Sequence, residues 1–206
     1  RDELETQQTP IVLNGLIGPR GDGYIPDNRM SATEAQAYHQ PQIEAFARAG
    51  ADLLSAMTLN YVDEAIGIVD AAKAVQIPIT IAFTVETNGL LATGQTLEQA
   101  ITLVDAVAPP AYYMINCAHP THFDKVTEGG ADWTRCIQGI RANASCLSHA
   151  ELGNSDTLDD GNPQEFGQQH QALLKSLPSV NIIGGCCETD HRHIGAVASK
   201  IYLSTH

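Results

Sequence analysis

The sequence is poor in positive charge. Its 206 residues include 11 lysines and arginines against 24 aspartates and glutamates, which gives a formal net charge of −13. A chain with this charge repels phosphate backbones and anionic membrane surfaces. The composition therefore excludes nucleic acid and membranes as expected partners.

Long hydrophobic runs are also missing. The longest apolar stretches, such as residues 77–85, are far shorter than the roughly 20 residues that span a bilayer. The first residues are polar, without a signal-peptide pattern, and the chain opens with Arg1 rather than Met. We therefore expect no transmembrane helix, a cytoplasmic location, and a chain cut from a longer protein.

What the sequence does contain is enough apolar material for a core. Hydrophobic residues make up 43% of the chain and charged residues 17%, proportions typical of a globular domain and not of a disordered segment. At roughly 150 residues per domain, the length predicts a single domain over residues 1–206. The oligomeric state stays open, a homo-oligomer included.

Apolar runs rich in β-branched residues alternate with helical patterns. Strands are predicted at residues 10–16, 52–59, 78–85, 111–116, 139–144 and 180–184. Helices are predicted at residues 32–49, 62–75, 97–107, 163–177 and from 194 to the end. Alternating strands and helices form a parallel sheet with right-handed crossovers. The fold class is therefore α/β, as either a doubly wound sheet or a (β/α)8 barrel.

The predicted helix at residues 62–75 is amphipathic. Its apolar residues recur at three- and four-residue spacing, while Asp63, Glu64, Asp70 and Lys73 lie on the other side. We expect the apolar side to cover the sheet. The charged side, including Asp63 and Glu64, is expected to face solvent.

In either architecture, functional side chains gather beyond the carboxyl ends of the strands. Three of the five cysteines follow predicted strands there: Cys117, and the adjacent pair Cys186 and Cys187. Successive strand residues point to opposite faces, so this pair reaches one point only where the backbone leaves the pleat, a freedom that Gly184 and Gly185 would supply. Three thiolates at one rim suit Zn²⁺ and leave its fourth position open for a substrate.

The competing interpretation is that these cysteines are small buried core residues, as most cysteines are. Cys136 and Cys146 have no comparable context and are expected to be structural. Four histidines compete as ligands, because each lies close in sequence to one of the three cysteines: His119, His122, His191 and His193. Any one of them would close the site.

Three anionic ligands make zinc a weak Lewis acid and a poor generator of hydroxide. The site suits a thiol substrate better. An unperturbed thiol, with a pKa of about 8.5, is only a few per cent ionised at pH 7, and coordination to zinc removes that limit. The pattern therefore predicts alkylation of a substrate thiol.

These motifs resemble the homocysteine S-methyltransferase family. The resemblance lies in Gly-Gly-Cys-Cys at 184–187, Asn-Cys at 116–117 and Gly-Pro at 18–19. Gly-Pro-Arg-Gly-Asp-Gly-Tyr at 18–24, Met-Ile-Asn-Cys-Ala-His-Pro at 114–120 and Asp-His-Arg-His at 190–193 are similar to a bacterial subgroup. The resemblance implies a (β/α)8 barrel of which this chain holds the last six β/α units and lacks the first two.

The resemblance also implies a function. Zinc would be held by Cys117, Cys186 and Cys187, and homocysteine or a close thiol analogue would be methylated, giving methionine. The methyl donor would be a sulfonium, an ammonium or a folate compound, such as S-methylmethionine, S-adenosylmethionine, betaine or a methylated folate.

One departure concerns the substrate. The family usually places a glutamate near the substrate ammonium at the end of the predicted strand 52–59, where this chain has Met57. Glu86, at the next strand end, is the candidate for the missing carboxylate, and the competing interpretation is a solvated loop glutamate. The predicted substrate-binding residues are Glu86, Thr84, Asn116, Asn143, Gly18 and Met57.

Two other functions stay open on the sequence. Met57 and the absent units are compatible with a non-catalytic zinc-binding or regulatory member of the same family. A zinc enzyme of other chemistry, such as a lyase or hydrolase, would be indicated if a histidine or carboxylate replaced one thiolate.

Overall fold

A computed structural model describes residues 1 and 3–202. The strands are β1 (Asn14–Ile17), β2 (Leu53–Leu59), β3 (Ile79–Phe83), β4 (Tyr112–Asn116), β5 (Ile137–Ala142) and β6 (Ile182–Gly185). The helices are α1 (Ala32–Arg48), α2 (Val62–Ala74), α3 (Leu97–Asp105), α4 (Pro120–Thr127), α5 (His149–Gly153), α6 (Pro163–Ser176) and α7 (His191–Tyr202). A 3-10 helix at Asp132–Cys136 precedes β5.

The six strands form one parallel sheet in chain order, from β1 at one edge to β6 at the other. Each crossover therefore moves to the next position in the same direction, as in the wall of a barrel. A doubly wound sheet would reverse direction at a switch point. The α/β class is confirmed, and the sheet is a half-barrel. Closure into an eight-stranded barrel stays a prediction.

All six predicted strands are present, and their bounds shift by a few residues. The short helices α4 and α5 and the 3-10 helix were not predicted, because a period of 3.6 residues gives little signal over the eight or five residues that each contains. The last helix begins at His191, three residues before the predicted start at residue 194. Its predicted end at residues 203–206 lies outside the described residues.

One continuous core joins the sheet to the helices. It includes fully buried side chains from strands and helices alike, among them Leu54, Ile81, Ile43, Ile68 and Phe166. This packing fixes the strand ends that carry the candidate site. In the part of the chain that the structure describes, no helix is long and apolar enough to cross a membrane.

The prediction that Glu64 faces solvent is wrong. Its side chain is fully buried, and its Oε1 accepts a hydrogen bond from the Arg20 backbone N–H at 2.7 Å and lies 2.9 Å from His39 Nε2. A buried carboxylate needs such partners, because burial without them is costly. The partners lie 44 and 25 residues away in sequence, so a local pattern could not reveal them.

Candidate metal centre

Three cysteine thiols meet at the carboxyl end of the sheet. Cys117 directly follows β4, and Cys186 and Cys187 directly follow β6. Their Sγ atoms all lie within 4.8 Å of one another. A tetrahedral zinc ion with Zn–S distances of ~2.3 Å needs sulfurs roughly 3.8 Å apart, so the three thiols fit such an ion.

No histidine or carboxylate among the described residues joins these thiols. His119 and His122 form the cap of α4 instead. His193 is buried with its Nδ1 accepting from the Asp190 backbone N–H at 3.2 Å, and His191 is exposed. Within the described chain, the protein therefore supplies three sulfur donors and leaves a fourth position open.

The remaining cysteines lie outside the cluster. Cys136 is half-buried and Cys146 is exposed. Burial raises the pKa of the Cys136 thiol to about 11, which keeps it protonated and unreactive at neutral pH. A site based on these two thiols has no support.

Because the three thiols lie close together, each one shifts the pKa values of the others. Hydrogen bonds with Cys186 and then Cys187 hold the pKa of the Cys117 thiol far below its ordinary value. The hydrogen bond with Cys117 is also the main reason why the pKa values of Cys186 and Cys187 are raised. Negative charge on one thiol of the cluster is thus stabilised by hydrogen bonds from the others.

Cys117 has a left-handed backbone, with φ of 51°. This conformation costs a non-glycine residue roughly 1–2 kcal/mol. Three side chains donate hydrogen bonds to its carbonyl oxygen: Thr84 Oγ1 at 3.2 Å, Asn143 Nδ2 at 3.2 Å and His149 Nε2 at 2.6 Å. These donors stabilise the strained residue at the point where the chain turns from β4 towards α4.

Asn143 joins the two cysteine segments. It follows β5, which lies between β4 and β6. Its Nδ2 donates to the Cys117 carbonyl at 3.2 Å, and its Oδ1 accepts from the Cys187 backbone N–H at 3.2 Å. The buried amide of Asn143 therefore sets the spacing between the Cys117 segment and the Cys187 segment.

Thr58 is a second left-handed residue at this rim, with φ of 61°. Asn116 makes two hydrogen bonds with Thr58, each at 2.8 Å. Its Oδ1 accepts from the Thr58 backbone N–H, and its Nδ2 donates to Thr58 Oγ1. Thr58 Oγ1 donates in turn to Cys117 Sγ at 3.7 Å. Asn116 thus positions a hydroxyl that stabilises negative charge on the sulfur.

The prediction that Gly184 and Gly185 supply conformational freedom is wrong. Neither has a positive φ, and the left-handed residue of this segment is Glu188, with φ of 60°. A Cβ on Gly185 would lie 2.0 Å from Thr189 Oγ1. Gly185 therefore makes room for Thr189, whose hydroxyl donates to the Cys186 carbonyl at 2.7 Å.

A cleft of about 800 Å³ opens beside the thiols. Its polar wall consists of Asp22, Tyr24, Glu86, Asn143, His149, Asn154, Cys187 and Glu188. Inside it, Glu86 Oε1 lies 3.0 Å from His149 Nδ1, and the ring of Tyr24 stacks on the ring of His149 at 3.9 Å. Burial raises the pKa of Tyr24, so its hydroxyl is protonated beside the Cys117 thiol.

The structure separates the predicted substrate-binding residues into groups. Glu86 and Asn143 line the cleft. Thr84 and Asn116 are buried behind Cys117 and contact that residue or its neighbour Thr58. The first two can reach a ligand in the cleft, while Thr84 and Asn116 shape the cysteine segment.

Gly18 and Met57 do not line the cleft in the described structure. Gly18 follows β1 and is exposed, and Met57 is half-buried near the end of β2. Sequence reasoning missed three residues that do contact the site, Tyr24, Thr58 and His149. Histidines were chosen for closeness in sequence to Cys117, Cys186 or Cys187, and His149 lies 32 residues from Cys117, near only the unclustered Cys146.

Comparison with known proteins points in the same direction as the geometry. The profile of the family described as "Homocysteine S-methyltransferase" matches residues 1–201. The homocysteine S-methyltransferase of Escherichia coli (strain K12) is 24% identical over an alignment of 206 positions that covers 94% of this chain and 64% of the relative. Betaine–homocysteine S-methyltransferase 1 of Rattus norvegicus is 27% identical over an alignment of 191 positions that covers 83% of this chain and 45% of the relative.

Solved structures share the fold. The metallated form of the homocysteine methyltransferase MmuM from Escherichia coli matches with a TM-score of 0.68 at 23% identity, over 94% of this chain and 62% of that chain. Its apo form matches with a TM-score of 0.66 at 22% identity, over 65% of that chain. The chain thus spans less than two thirds of the length of the curated relatives it matches.

Proposed function

The chain belongs to the homocysteine S-methyltransferase family, and from this premise we propose that the protein methylates the thiol of homocysteine or a close analogue, giving methionine. The main support is the group of three thiols within 4.8 Å of one another beside an open cleft. The family members compared above are named for the same reaction class.

Cys117, Cys186 and Cys187 would hold a zinc ion, because three soft sulfur donors favour zinc over magnesium or calcium. When bound there, zinc would lower the pKa of a substrate thiol, so that the thiolate is available at neutral pH. The donor set contains no histidine or carboxylate among the described residues. This composition argues against a hydrolase or a lyase.

The reaction needs alignment more than acid or base catalysis. The substrate thiol releases its proton to solvent, and its sulfur attacks the methyl carbon of the donor, whose leaving group departs with the bonding electron pair. An enzyme assists such a displacement mainly by holding the two reactants in line. The cleft beside Cys187 is where this chain would hold them, and Glu86, one-third exposed there, would pair with the ammonium group of the amino acid.

We also propose that residues 1–206 form six of the eight units of a barrel. The sheet has β1 and β6 at its two edges, and the matched structures are longer than this chain. The acidic composition further supports small-molecule substrates rather than nucleic-acid partners.

Metal analysis and a donor screen test the proposal together. Full-length protein, purified under reducing conditions without chelators, should contain about one zinc per chain, and Cys117→Ala should lose it. Cys146→Ala, which changes an exposed thiol outside the cluster, should keep it. Incubation with homocysteine and each candidate donor should give methionine with at least one of them.

The two measurements separate the alternatives. Absence of zinc in the wild-type protein would overturn the metal centre. Zinc without methionine from any donor would contradict the proposed activity and favour a non-catalytic family member, the alternative that Met57 raises.

A further inference from the structure

We infer that His149 is a positioning residue of the metal centre: it holds the backbone of Cys117 in the conformation that metal binding needs, and Glu86 orients it from the cleft. The inference rests on the proposed function only in taking the three thiols as a metal site. It concerns His149 and Glu86, which no sequence motif links to the cysteines.

The contact between His149 and Cys117 is direct. His149 Nε2 lies 2.6 Å from the Cys117 carbonyl oxygen, closer than the two other side-chain donors, each at 3.2 Å. A carbonyl oxygen can only accept, so Nε2 is the donor. The carbonyl carbon and the side chain of Cys117 leave the same Cα, so a change in its left-handed backbone, with φ of 51°, would move both.

The His149 ring is itself held from several sides. Glu86 Oε1 lies 3.0 Å from its Nδ1, and the Tyr24 ring stacks on it at 3.9 Å with an interplanar angle of 24°. Its side chain is only 6% exposed. The helix α5, on which it stands, begins with a capping box formed by Ser148 and Glu151. The ring is therefore held in this orientation by contacts at both nitrogens and on one face.

These contacts make His149 a positioning residue rather than a metal ligand. Both of its ring nitrogens face other partners, Glu86 and the Cys117 carbonyl. A relaxation of Cys117 towards ordinary φ values would move its Sγ relative to Cys186 and Cys187. Groups that orient metal ligands in this indirect way typically change metal affinity 10–100-fold when removed.

Zinc titration against a chromophoric chelator tests the inference on reduced full-length protein. His149→Leu removes the donor and should lower zinc affinity about 10–100-fold. His149→Gln, whose amide can still donate to the carbonyl, should retain much of the affinity. His191→Gln changes an exposed histidine without contact to the thiols and should match the wild type.

A second readout separates positioning from general stability. Loaded with Co²⁺, the wild type should show the charge-transfer absorption of three thiolate ligands, and His149→Leu should show less absorption per bound cobalt. Glu86→Met should weaken zinc binding when His149 is present and have no further effect in the His149→Leu background, because the two residues act in series.

Each result has a distinct meaning. Wild-type zinc affinity and cobalt absorption in folded His149→Leu would overturn the inference and leave the metal centre intact. If His149→Leu does not fold, unchanged affinity in Glu86→Met would overturn the inference instead. Absence of metal binding by the wild type would contradict the proposed function itself.

Discussion

Single residues in strained conformations mark the candidate site. Five non-glycine residues among those described have positive φ, and Thr58, Cys117 and Glu188 are three of them. All three lie at the carboxyl end of the sheet, near the thiols. Such strain persists only where neighbouring groups impose it, and it is common at functional sites. At Thr58 the imposing group is the side chain of Asn116, and at Cys117 the imposing groups are the side chains of Thr84, Asn143 and His149.

Loss of the Thr58 hydroxyl should weaken metal binding. Its Oγ1 donates to Cys117 Sγ at 3.7 Å, and a hydrogen bond of this kind is worth about 1 kcal/mol. Thr58→Val should therefore lower zinc affinity several-fold in a chelator competition. Thr102→Val, at an exposed position of α3, serves as the control. Equal affinities for wild type and Thr58→Val would show that the hydroxyl has no part in the site.

Substitution of Glu86 by glutamine should separate substrate binding from metal binding. Glu86→Gln removes the negative charge from the cleft but keeps an oxygen for the contact with His149 Nδ1. We expect a raised KM for the thiol substrate and an unchanged zinc content, measured by steady-state kinetics and metal analysis. An unchanged KM would remove Glu86 from the substrate site.

His170 should make the protein less stable in mild acid. Burial lowers the pKa of this histidine, which is 1% exposed and donates through Nδ1 to the Phe166 carbonyl at 2.9 Å. The unfolded chain therefore binds a proton at a higher pH than the folded protein. The stabilisation is complete above the ordinary pKa of about 6.5 and is lost as the pH falls below it.

Denaturant unfolding at pH 7.5 and 5.5 measures this effect. The wild type should lose more free energy of unfolding between the two pH values than His170→Leu does. His191→Gln should behave as the wild type, because His191 is exposed. An equal loss in His170→Leu and wild type would show that His170 is not responsible.

Among the helices, the long ones were predictable and the short ones were not. Apolar runs identified all six strands, including the four-residue β1 and β6, and helical patterns identified the helices α1, α2, α3, α6 and α7. The helices α4 and α5 have too few residues for a period, yet α5 carries His149. The sequence therefore predicted which strand ends hold the thiols, but it did not predict that the short helix α5 contacts Cys117.

The turn after β6 depends on a small residue at one position. Gly185→Ala should lower the free energy of unfolding by roughly 1–3 kcal/mol, because its Cβ would lie 2.0 Å from Thr189 Oγ1. Gly184→Ala is the matched control, since the nearest atom to its Cβ is Arg141 Cγ at 3.4 Å. Urea denaturation compares the two. Equal stabilities would contradict the packing role assigned to Gly185.

For the whole molecule, the sequence predicted the class of fold and the convergence of three cysteines, because strand order and strand ends follow from hydrophobic pattern and topology. It did not predict the side chains that surround the thiols. Those contacts depend on tertiary placement, as with Thr58 beside Asn116 at a separation of 58 residues. Glu64 was misassigned for the same reason.

The central claim is that three thiols hold a zinc ion that a substrate thiol can approach. Zinc K-edge X-ray absorption of the loaded full-length protein, recorded with and without homocysteine, tests it most directly. The account predicts three sulfur neighbours at ~2.3 Å without homocysteine and four with it. Fewer than three sulfurs, or an unchanged spectrum on adding homocysteine, would contradict the claim.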